Sequence, residues 1–181
     1  MKKLMMAVAV TACAFAASAA SFDWKTSATG QVFAPGSTTA KIDGTAYLFD
    51  SAAVTQQAVL NAFLANGSIA AGSLDNKEVA SGKITATAGE AFNWGKAGDS
   101  LTAFFAVIDD GKIYISSSQT QAAPDTGFSQ FTFSEKAASQ AAALETKTFG
   151  SAGWYQSVPE PTSGLLLLLG VAGLALRRRR A

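Results

Sequence analysis

The side chains here that could do chemistry are mostly carboxylates, because little else is available. There is no histidine, and the one cysteine, Cys13, lies in an apolar stretch near the N-terminus. Once that stretch is removed, neither thiol nor imidazole remains. Disulfides, a Cys/His zinc site and any triad with a histidine base are then excluded. Asp109 and Asp110 are adjacent, which would suit calcium binding or acid–base work. Adjacent side chains in a turn point apart, however, and Asp110-Gly111 is accounted for by hairpin geometry.

Asp75 with Glu78, and Glu90 with Asp99, are the other acidic pairs. A glycosidase needs two carboxyls at a defined separation across a cleft, and solvated loop charge explains these pairs more simply. No catalytic residue, metal site or cofactor is therefore assigned, and the expectation is that the protein is not an enzyme. The aromatic residues offer binding in place of reaction. Trp24, Trp94, Trp154 and Tyr155 are candidate ligand residues, since a flat ring packs well against the apolar face of a pyranose. Core packing is the competing fate of tryptophan in a small β domain.

Charge narrows the partners further. The net charge of +1 hides an asymmetry, with Lys2 and Lys3 at one end and Arg177 to Arg180 at the other. Between Ser21 and Ser157 there are eight lysines, eight aspartates and four glutamates, a net of −4. A mildly acidic body without a basic face gives no support to nucleic-acid binding.

The elements that must position these side chains read as strands. GTAYLFD (44–50) follows an Asp-Gly turn, with Tyr47 and Phe49 on one face and Leu48 on the other. Leu101 to Ile108 is an apolar run broken only by Thr102, and Ile113 and Ile115 alternate with Tyr114. Asp110-Gly111 between them suits a type I′ turn. The first strand is expected to be buried on both faces and its partner half exposed. FSQFTFS (128–134) alternates, with Phe131 and Phe133 on one face. Glu78 to Gly89 is a weaker strand with a bulge expected at Gly82, and WYQSV (154–158) is a last strand.

One helix is expected, capped by Asp50 or Ser51 and stopped by Asn66-Gly67. The stretch SEKAASQAAALET (134–146) fits helix or edge strand equally. The body, residues 21–157, thus reads as mainly β: an antiparallel β-sandwich-like domain with one short α-helix at an end or on a face.

The two ends read as processing segments. Residues 1–20 have a basic start, an apolar stretch and small residues where signal peptidase requires them, placing cleavage after Ala19 or Ala20. At the other end, Gly164 to Leu176 is an apolar run of thirteen residues. As a helix it spans about 20 Å against a hydrocarbon core of about 30 Å, which is marginal for a permanent anchor. Arg177, Arg178, Arg179 and Arg180 can extend its reach and hold that end cytoplasmic. Pro159 and Pro161 keep the preceding boundary extended and accessible.

Val158-Pro159-Glu160-Pro161, then a short glycine-containing apolar helix over about 162–176, then the arginine cluster 177–180, resembles the PEP-CTERM sorting signal of Gram-negative bacteria. The resemblance is confined to residues 158–181. It implies recognition by an exosortase, with the helix as a transient inner-membrane anchor after signal peptidase has acted at the other end. It also implies an exported surface or extracellular-matrix protein, associated with extracellular polysaccharide. The alternatives are a secreted hydrolase that uses carboxylates alone, or a protein simply anchored by its C-terminal helix.

Overall fold

The computed structural model describes residues 19–25, 32–42, 44–69, 74, 78–83 and 91–158. Of the expected signal peptide, 1–20, residues 1–18 lie outside the described residues, as does the sorting tail from Pro159 onward, whereas Ala19 and Ala20 are described. Among those described, no helix is long and apolar enough to cross a membrane.

The chain is mainly β, in three layers. The first is a three-stranded sheet of β1 (Ala19–Lys25), β4 (Phe92–Lys96) and β8 (Phe128–Thr132), in the order β4-β1-β8. The second is a seven-stranded sheet of β2 (Thr45–Asp50), β3 (Ala80–Lys83), β5 (Ser100–Asp109), β6 (Lys112–Ile115), β7 (Gln119–Ala122), β9 (Leu144–Glu145) and β10 (Gly153–Gln156). Its order is β3-β2-β5-β6-β10-β9, with β7 also pairing β5. Helix α1 (Gln56–Asn66) is the third layer, and a second helix, α2 (Lys136–Gln140), follows β8.

Alternation along the strands assigns each side chain to a layer. Phe22, Trp24, Phe131 and Phe133 point from the small sheet onto Leu48, Phe105, Val107, Tyr114 and Trp154 of the large one. The opposite face of the large sheet, with Phe49, Phe104, Ile113, Ile115 and Tyr155, is covered by Val59, Leu60 and Phe63 of α1. Phe104 stacks on Phe49 with ring centroids 5.5 Å apart. Burying a side chain of this size contributes about 2 kcal/mol, so the aromatic layers dominate the core.

The hairpin forms as its sequence dictates. Asp110 and Gly111 take φ of 44° and 67°, the left-handed values a two-residue type I′ turn needs. Four expectations are corrected. The hairpin's second strand is not half exposed: Ile113, Tyr114 and Ile115 are fully buried, because β6 lies between β5 and β10 with a layer on each side. No bulge occurs at Gly82, which pairs in step with Ala46.

The helix begins later than Asp50 or Ser51. The Asp50 carboxylate does accept the Ala52 N–H at 2.9 Å, but it closes a turn that buries Val54. The cap is Thr55, whose hydroxyl accepts the Ala58 N–H at 3.1 Å, and Gly67 at φ 65° ends the helix as expected. Finally, pairing is not uniformly antiparallel. β1 runs parallel to β8, and β10 parallel to β9. The ambiguous stretch after residue 134 divides into α2 followed by the edge strand β9.

Candidate functional site

The acidic pairs do not assemble a site among the described residues. Asp110 is exposed in its turn, 3.7 Å from the Lys112 ammonium, and Asp109 ends β5 opposite Lys112. Asp99 closes the turn between β4 and β5 by accepting the Lys96 N–H at 3.0 Å. Asp75 and Glu90 lie outside the described residues. No group of three or more acidic, cysteine or histidine side chains is placed to hold a metal, among the described residues.

The four aromatic candidates do not form a shared platform. Trp154 and Tyr155 are neighbours on β10, so alternation sends them to opposite faces, and both are fully buried. The Trp154 indole N–H is bound by the carbonyls of Phe33 and Ser139, at 3.0 and 2.9 Å. Trp24 faces Phe105 in the inter-sheet core, and its Nε1 has no hydrogen-bond partner. Trp94 is half-buried, edge-on to Phe22. Trp24, Trp154 and Tyr155 are thus committed to the core, and Trp94 packs against it from a half-buried position.

A different constellation lies on the outer face of the small sheet. Ser21, Asp23 and Lys25 point away from the core because Phe22 and Trp24 point into it. In the parallel register Phe128 lies beside Ser21, and Gln130 beside Asp23. Phe128 is 63% exposed, whereas Phe131 three residues on is fully buried. The Gln130 amide donates to Asp23 Oδ2 at 2.7 Å, and the Trp24 N–H donates to Asp23 Oδ1 at 2.7 Å. Ser21, Asp23, Ala91 and Phe128 line an open depression of about 210 Å³. Its lining joins one flat apolar surface to fixed hydrogen-bonding groups, a combination that suits a small polar ligand with an apolar face.

This groove was missed from the sequence, although a trace of it was readable. In FSQFTFS, Phe131 and Phe133 share one face, and Phe128 is out of step with them. A phenylalanine on the polar face of a strand needs a reason.

A second polar cluster ties the layers together. Glu135, at the start of α2, accepts the Tyr114 hydroxyl at 2.7 Å and the Ser117 N–H at 2.7 Å, and also the Ser117 hydroxyl. Burial pushes the Glu135 carboxyl above the usual carboxylate range, although the bonds from Tyr114 and Ser117 pull the other way. The Tyr114 hydroxyl is pushed up too, first by burial and then by the Glu135 charge. The arrangement is a brace between α2 and β6.

The last described residues, Ser157 and Val158, leave the end of β10 directly toward the tail. A family model of the PEP-CTERM protein-sorting motif matches residues 157–180. The match supports an exported chain sorted at the membrane by an exosortase. No curated protein and no solved structure matches the chain.

Proposed function

We propose that this chain is a non-enzymatic protein of the cell surface or extracellular matrix, released by exosortase and associated with extracellular polysaccharide. The observation that carries the reading is the sorting motif over residues 157–180. Signal peptidase removes residues up to Ala19 or Ala20, so that β1 of the mature body begins at Ala20 or Ser21, and the tail then holds the body at the inner membrane. Its apolar run, about 10 Å shorter than the hydrocarbon core, makes a transient stop that presents Pro159-Glu160-Pro161 at the outer interface. Exosortase acts there, and Arg177 to Arg180 stay behind.

The β-rich body supports the reading because its aromatic layers build a rigid scaffold that holds out a hydrogen-bonding face. The test is intact mass and fractionation in hosts with and without the exosortase. With the enzyme, the mature mass lacks Arg177 to Arg180 and the protein leaves the inner membrane; without it, the full tail persists in the membrane fraction. A tail that keeps its arginines in both hosts would overturn the proposal.

A further inference from the structure

We infer that the outer face of the small sheet binds a neutral saccharide, a pyranose ring lying on Phe128 while Asp23 and Gln130 engage its hydroxyls. The site deepens the polysaccharide association proposed above and rests on that reading. Phe128 is not needed to anchor β8, because Phe131 and Phe133 already bury that strand's inner face. An aromatic ring left 63% exposed on an otherwise polar face carries a solvation cost that a stacked ligand would remove.

The polar side of the site is built in advance. Asp23 sits on β1, the central strand, with a neighbour on either side. Its two oxygens are fixed by Gln130 and by the Trp24 N–H. A carboxylate offers about four acceptor positions and an amide two donors and an acceptor oxygen, so the couple keeps capacity of both kinds. Sugar hydroxyls, which donate and accept, match such a mixed array. Protein donors of one kind only would not.

The charge decides the class of sugar. Asp23 is the acidic side chain among the described residues that line the depression, and Lys25 is two residues along the strand, about 7 Å away. A uronate would bring its acid group against the acidic side chain of Asp23 at close range, so a neutral ring is selected. A protein partner fits less well, since a lone aromatic among polar side chains lacks the apolar centre that such interfaces use.

The test uses the processed protein collected from its host. It is run by affinity electrophoresis in gels containing a soluble β-glucan, a mannan, a galactan or a polyuronate, and mobility is compared with a polymer-free gel. Retardation is expected in at least one neutral gel and absent from the polyuronate gel. Phe128→Ala and Asp23→Ala should each weaken apparent affinity about tenfold, while Phe128→Tyr retains it.

Phe128 is exposed, so its variants test the site even if Asp23→Ala disturbs the fold, which near-ultraviolet circular dichroism would reveal. Wild-type mobility unchanged in every neutral gel, retardation by the polyuronate alone, or full affinity in Phe128→Ala would overturn the inference. Normal tail processing with such a result refutes the site and leaves sorting intact. An unprocessed tail with neutral-polymer binding does the reverse.

Discussion

Replacing Glu135 with alanine should expose how much the brace between α2 and β6 contributes to stability. The change strands the hydroxyl of fully buried Tyr114, at a cost of about 1–3 kcal/mol for an unsatisfied buried group. The Ser117 N–H is exposed to solvent, so water replaces the carboxylate there at little cost. Relief of the half-buried carboxylate offsets part of the loss. A net destabilisation of about 2 kcal/mol remains, or about 8 °C in Tm at about 4 °C per kcal/mol for a body of this size.

Tyr114→Phe removes the stranded donor, so the double variant should recover about 1 kcal/mol relative to the sum of the singles. The pH dependence has a definite sign. Because the folded state raises the Glu135 pKa, it holds a proton more tightly than the unfolded state. This group's contribution is therefore complete below its unfolded pKa and is lost as pH rises through the higher folded value. Thermal melts of the exported protein across that window should show a decline with rising pH that is absent from Glu135→Ala. Additive single and double variants, or a Glu135→Ala shift below about 2 °C, would refute the role of the brace.

Three further outcomes follow from the packing. Trp154→Phe leaves the carbonyls of Phe33 and Ser139 without their shared donor, and urea denaturation should report a loss of about 3 kcal/mol. Phe104→Ala, between the large sheet and α1, should cost about 4 kcal/mol, while Phe128→Ala stays within about 0.5 kcal/mol of wild type in the same assay. Gly111→Ala should cost about 1 kcal/mol through backbone strain alone, because nothing lies within 4 Å of the added Cβ; a chemical melt with Asp110→Gly as a tolerated control checks it.

The parts that were readable in the sequence are those set by local rules. Residues 101–115 state their own hairpin, because an apolar run, an Asp-Gly turn and a second alternating run fix strand, turn and partner together. Gly67 likewise ends α1 with no tertiary help. The burial of β6 on both faces depends on where α1 and β1 pack, which no local pattern carries. The same holds for β1 itself: Phe22 and Trp24 alternate with Ser21, Asp23 and Lys25, but the strand's parallel partner begins more than one hundred residues later. The groove joins β1, β8 and Ala91 just ahead of β4, so its residues become neighbours only when that register is known. Trp154 and Tyr155 show the limit from the other side, since residue type left ligand stacking and core packing both open, and alternation in an inner strand buries both.

On the proposed sorting route, the exit of the chain from β10 sets the clearance between body and membrane. Gln156 is still paired with Lys112 in the sheet, and Pro159 is three residues on, a reach of at most about 10 Å. An enzyme working on Pro159-Glu160-Pro161 therefore works against the rim of the folded body. That rim carries the Asp110-Gly111 turn, since Lys112 begins β6 at the same end. On the proposed sorting route, that edge of the scaffold is the one that faces the lipid while the tail is processed.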